Sequence, residues 1–129
     1  MNTYLTAAAT LAFLVGLVHS VLGERLVFSR MRQGQFVPTN GGTLLQQRHV
    51  RILWASWHVV TVLGWALAGT LLLLASEPTV SALSASLSQV IIVATLAGSA
   101  LVLYGTRARH PGWVGLLGVA VLTWLGISP

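Results

Sequence analysis

Four histidines and one glutamate are the side chains of this chain whose types and spacing could do chemistry. His19 and Glu24 lie five residues apart, and His49 and His58 lie nine apart. Neutral imidazole is the commonest nitrogen ligand for metals and changes charge near neutral pH. A carboxylate added to imidazoles makes a donor set that Zn, Cu or Fe ions accept. Two imidazoles from facing helices can also ligate a haem iron axially. The expected metal ligands are therefore His19, His58, Glu24 and His49. The expected cofactor is haem b or a transition metal ion, held by His19 and His58, with Arg25 and Arg51 placed to meet haem propionates. Electron transfer or quinone chemistry is the activity such a site would serve.

The spacing also argues against a simple version. On continuous helices, residues nine apart fall close to opposite faces and residues five apart are well out of line. A compact four-ligand site needs a break in one helix or ligands from a second subunit. A plainer use exists for the same histidines. His19 and His58 can lock two helices by bonding each other, Thr61 or Ser20. Glu24 can pair with Arg25, Arg48 or Arg51, and His49 and His110 beside arginines can simply be solvated. The chain has no cysteine, which removes thiolate ligands, thiol nucleophiles and disulfides together.

The elements that must position these residues are apolar. Of the 129 residues 55% are hydrophobic and 7% charged, against about 25% charged in a soluble domain. Residues 3–22, 52–75, 83–104 and 112–127 contain no Asp, Glu, Lys or Arg. About 20 such residues cross a hydrocarbon core of roughly 30 Å. Only helices or closed barrels satisfy backbone groups in lipid. The expected fold is all-α: a polytopic membrane protein with four transmembrane helices in a bundle. The helices are expected over about 3–32, 44–75, 80–105 and 111–127, in one membrane domain, with a loop at about 33–43. Trp113 and Trp124 sit near the two ends of the short fourth run, as interfacial aromatics do. A cleaved signal peptide would want a basic start and a shorter apolar core. Met1-Asn2-Thr3-Tyr4 has no basic side chain, so the first run is expected to remain as a span.

Basic residues set the expected orientation. All seven are arginine: Arg25, Arg30, Arg32, Arg48 and Arg51 around the first connection, Arg107 and Arg109 in the third. The positive-inside rule puts both connections in the cytoplasm and both termini outside, in a bacterial plasma (inner) membrane. The net charge of +5 then reports topology and contact with anionic lipid headgroups, and nucleic acid is not an expected partner.

Local signals refine the elements. Gly34, Pro38 and the Asn40-Gly41-Gly42 run read as the loop. Thr43 with Gln46 fits a capping box opening helix two, and His110-Pro111-Gly112 reads as the last turn. His19 would lie about four residues inside its helix end and His58 about seven inside Arg51, depths of roughly 6 and 10 Å. Helices one and two are joined by a single loop and should pack antiparallel. His58 would then share a face with Thr61, Trp65 and Ala68. Small residues repeat every four along helix one (Ala8, Ala12, Gly16, Ser20), at Gly64 and Ala68 on helix two, and every three at Gly112, Gly115 and Gly118. Such faces let backbones approach closely in lipid. They also support a reading without chemistry, in which the protein is an accessory or assembly subunit packing on itself or in a larger membrane complex. On helix three Ser81, Ser84, Ser88, Thr95 and Ser99 form a stripe, whose hydroxyls are expected to bond their own helix carbonyls. Trp54, Trp57 and Trp65 are expected as anchors or filler, or as walls for a flat ligand.

Overall fold

The computed structural model describes residues 1–79 and 81–128, and these are all-helical apart from turns and loops. Helix α1 runs Thr3–Leu22 and is continued by a π turn, Gly23–Val27, and a 3-10 turn, Phe28–Met31. Helices α2, α3 and α4 span Gln47–Ser76, Ala82–Gly105 and Gly112–Ile127. Three helical segments, Thr3–Met31, Gln47–Ser76 and Ala82–Gly105, are long and apolar enough to cross a membrane, and α4 is shorter. With 30 residues, α2 is about 45 Å long at 1.5 Å per residue. That exceeds the roughly 30 Å hydrocarbon core. The protein is thus compatible with an integral membrane protein, and its many exposed Leu, Val and Phe side chains suit lipid rather than water.

The chain forms two compact units, residues 1–15 with 64–129 and residues 16–63. The larger unit holds an aliphatic core of small and branched residues, with Leu5, Ala8, Ala9, Ala12, Ala68, Leu71, Ala75, Ile91 and Val119 buried. Of the glycine face expected on α4, Gly115 and Gly118 are in use here, while a β-carbon at Gly112 would meet His110 and Val102 instead. A β-carbon at Gly115 would lie 2.6 Å from Val15, one at Gly118 2.8 Å from Leu11, and one at Gly126 2.7 Å from Leu5. Only glycine lets α4 approach α1 this closely. Gly64, by contrast, has nothing within 4 Å of where its β-carbon would be, so it is no contact point among the described residues, while Ala68 is buried. Asn2 caps α1 by accepting from the Leu5 amide at 3.1 Å, and its side-chain amide donates to the Gly126 carbonyl at 2.6 Å.

The α3 stripe faces inward: Ser84, Ser88, Thr95 and Ser99 are buried. Thr95 bonds the Ile91 carbonyl of its own helix and Ser84 that of Ser81, as expected, whereas Ser99 donates to the Trp113 carbonyl on α4. Ser81 is the N-cap of α3, accepting from the Ser84 amide.

Two local expectations are corrected. Helix α2 starts at Gln47, and the amides of His49 and Val50 bond the Gln46 carbonyl. Thr43 instead lies in a turn closed by a bridge between Gly41 and Leu45, so no capping box forms. The α3–α4 connection turns at Arg107 and Ala108, with φ of 51° and 62°, ahead of the His-Pro-Gly run.

Candidate functional site

The smaller unit, residues 16–63, assembles the polar side chains. Its two walls are the C-terminal turns of α1 with the π turn, and the first half of α2. What joins them is a ladder of tryptophan donors. The Trp57 indole N–H donates to the His19 carbonyl at 3.1 Å, and the Trp54 indole N–H donates to Glu24 Oε1 at 2.6 Å. Trp57 comes this close because residue 23 is glycine: a β-carbon there would sit 2.2 Å from the indole nitrogen. The His19 ring stacks on Trp57 with centroids 4.4 Å apart and planes 6° from parallel, and the buried Phe28 ring meets Trp57 edge-on at 5.6 Å. The same device recurs in the larger unit, where the Trp65 indole donates to the Phe13 carbonyl at 3.2 Å.

The break in helix one occurs at Gly23–Val27, where the backbone adopts π winding. Such bulges shift the side-chain register and recur at functional sites. Glu24 lies in this turn. Its carboxylate accepts from Trp54 and from Arg32, both of which can only donate. Its third partner is His58, with Nε2 2.9 Å from Oε1. The pairing expected with Arg25, Arg48 or Arg51 is therefore replaced by Arg32, eight residues on. The 3-10 turn and the loop explain this. The Thr39 and Asn40 amides fold back onto the Met31 carbonyl, and Arg32 bonds the Phe36 carbonyl while Phe36 packs edge-on against Trp54.

His58 is bonded through both ring nitrogens. Nδ1 lies 2.8 Å from Ser20 Oγ, and Ser20 Oγ lies 2.8 Å from Thr61 Oγ1, which reaches the Gly16 carbonyl at 3.3 Å. With His58 neutral, Nε2–H donates to Glu24 and Nδ1 accepts from Ser20, which in turn accepts from Thr61. With His58 cationic, Nδ1–H donates to Ser20, Ser20 to Thr61 and Thr61 to Gly16. Every donor finds an acceptor in both arrangements. The four side chains thus form a path whose polarity reverses when His58 gains or loses a proton.

The ligand set expected from the sequence is distributed differently. Glu24 and His58 are in contact, but among the described residues no group of three or more His, Cys, Asp or Glu is placed to hold a metal ion. His19 is turned onto Trp57, and His49 is exposed at the start of α2. Arg25 and Arg51 are exposed, and among the described residues the ion pairs are Arg32–Glu24 and His58–Glu24. Ser20 and Thr61 belong to the site as His58 partners. Arg32 was not expected in it, and Trp54 was expected as an anchor, as filler or as a wall for a flat ligand rather than as a donor to Glu24. The spacing of Trp54 to His58, four residues on one helix face, was the available signal for Trp54, and nothing local marks Arg32.

Comparison with known protein families, with characterised proteins and with solved structures finds no match for this chain.

Proposed function

We propose that this is a small integral membrane protein whose Glu24–His58–Ser20 centre takes up and releases protons for a lipid-soluble partner molecule, such as a quinone. The observation that carries this reading is His58, bonded to a carboxylate at one ring nitrogen and to a hydroxyl at the other. Ionisable groups within spans are costly and usually serve function, and a histidine satisfied in both protonation states is suited to proton exchange. In this reading the arginine-rich connections face the cytoplasm of a bacterial cell, both termini face outward, and Arg25, Arg48 and Arg51 meet anionic headgroups.

Nitrogen-15 NMR of the imidazoles, in protein reconstituted in bilayers, tests the proposal. His58 is expected to take up and release a proton with the Ser20 and Glu24 bonds kept. A ring that stays in one protonation form wherever the fold persists refutes it.

Ligation of haem or a transition metal ion is a second reading, supported by the contact of His58 with the Glu24 carboxylate. It requires His58 to give up Glu24 or Ser20, and His19 to leave Trp57 if it is to be the second ligand. A purified sample with a Soret band or stoichiometric metal decides for this reading, and one with neither decides against it. The accessory-subunit reading gains if His58→Ala leaves cellular function intact while Gly64→Ile, at a position where a β-carbon meets nothing within 4 Å in this chain, abolishes it.

A further inference from the structure

Ser20, like Ser99 and Thr61, does not bond a carbonyl of its own helix. Thr10, Ser56, Thr70 and Ser86 each donate to the carbonyl four residues back in their own helix, the ordinary way to satisfy a hydroxyl in an apolar helix. For Ser20 that carbonyl belongs to Gly16, and it receives Thr61 instead. The Ser20 hydroxyl is turned to His58 Nδ1 at 2.8 Å, while His58 Nε2 is held by Glu24 at 2.9 Å. Glu24 is in turn fixed by Trp54 and Arg32. A hydroxyl, a base and a group orienting the base, each within hydrogen-bond reach of the next, form the arrangement that activates a serine. Here the hydroxyl meets Nδ1 and the carboxylate Nε2, so the working neutral form carries its proton on Nε2.

We propose that Ser20 is a nucleophile towards the carboxylic ester of a fatty acyl chain, with His58 as its base and Glu24 as the residue that positions His58. The proposal rests on the proton-exchanging role of His58 and adds that the proton it takes is that of Ser20. The substrate class follows from the surroundings. Ser20 is half-buried, and its neighbours Leu17, Val18 and Val21 expose 41%, 52% and 40% of their surface, an apolar approach along which an acyl chain can lie. The exposed Arg25 follows Glu24 and suits an anionic headgroup.

In the first step Ser20 Oγ bonds to the ester carbonyl carbon and passes its proton to His58 Nδ1. The carbon–alkoxide bond breaks, and the departing oxygen takes that proton. In the second step water attacks the acyl-serine and gives a proton to His58, which returns it to Ser20 Oγ as the fatty acid leaves. Thr61 Oγ1 lies 2.8 Å from Ser20 Oγ and can donate to that oxygen as Ser20 gives its proton to His58.

The test uses a long-chain alkyl fluorophosphonate on the full chain in proteoliposomes. Ser20 would displace fluoride to form a phosphorus–oxygen bond, and peptide mass spectrometry locates the adduct. The wild-type protein is expected to be labelled at Ser20. Loss of the base is expected to slow labelling about 10²-fold in His58→Gln, with melting measured alongside so that a folding defect is recognised. Glu24→Gln is expected to slow labelling and move the pH at which the rate is half-maximal, a change that loss of packing alone would not make. No adduct on the folded wild-type protein, or an adduct on another residue, overturns the proposal. If His58 titrates in the NMR experiment while Ser20 stays unlabelled, the proton-exchange reading stands and the nucleophile does not.

Discussion

Gly23→Ala puts the assembly of the site to a quantitative test. The added methyl would lie 2.2 Å from the Trp57 indole nitrogen and 2.6 Å from Cε2, well inside van der Waals contact. The obstacle is a stiff ring rather than a flexible chain end, so Trp57 must move. Moving it strains or breaks the 3.1 Å bond to the His19 carbonyl and the stack on the His19 ring. Over-packing of this kind costs about 1–3 kcal/mol, the hydrogen bond about 1, and the ring pair about 0.5–1.5. Alanine returns about 0.5–1 kcal/mol of backbone entropy in a helix. The net expectation is a loss of about 2–4 kcal/mol, since these losses overlap. The internal control is Gly64→Ala, whose methyl meets nothing within 4 Å and which should be neutral or stabilise by up to about 1 kcal/mol. Reversible denaturant unfolding in micelles, followed by tryptophan fluorescence, reads both variants on one scale. If Gly23→Ala matches Gly64→Ala, the close approach of Trp57 to the π turn is wrong, and the geometry given for Glu24 and His58 loses its support.

Other outcomes can be checked with the same assay. Ser81→Ala should cost about 1 kcal/mol, because Ser81 caps α3, whereas Thr43→Ala should cost little, because Thr43 caps nothing; equal costs would restore the capping box. Ala108→Gly should stabilise by about 0.5–1 kcal/mol, because Ala108 is left-handed at φ 62° and only glycine takes that conformation freely; a loss of stability would count against the turn. Trp54→Phe should cost about 1.5–3 kcal/mol through the lost donor to the Glu24 carboxylate, and an unchanged unfolding midpoint would remove Trp54 from the site.

The apolar runs carried the helices because span length and charge exclusion are local properties that any stretch of about 20 residues displays by itself. The glycine face of α4 was legible for a similar reason: Gly115 and Gly118 show their spacing in the sequence, and α1 meets them. Gly64 carries the same signal and touches nothing, since a small residue permits close approach without causing it. The ends of the helices were harder. Thr43 and Gln46 satisfy a capping pattern, yet the Gly41–Leu45 bridge uses that stretch otherwise.

The site was legible in its members more than in its wiring. His58, Glu24, Ser20 and Thr61 can be picked out because polar groups are conspicuous in an apolar chain. Their pairing depends on the π turn, and nothing in Gly23-Glu24-Arg25-Leu26-Val27 announces it, since every residue there also suits an α-helix. The turn is explained by contacts from elsewhere: the Trp57 indole on the His19 carbonyl, and the Trp54 indole with Arg32 on Glu24. These are interactions across 8 to 38 residues, and they outweigh the fraction of a kcal/mol that local propensity contributes per residue. The sequence argument that His19 and Glu24, five apart on one helix, are well out of line holds in the structure: Glu24 meets His58 from the π turn, while His19 stacks on Trp57. The consequence for function is direct. Glu24 is held by two groups that can only donate, Arg32 and Trp54, so of its three partners His58 is the one whose ring nitrogen can either donate or accept, and the proposed proton exchange is assigned to that imidazole for this reason.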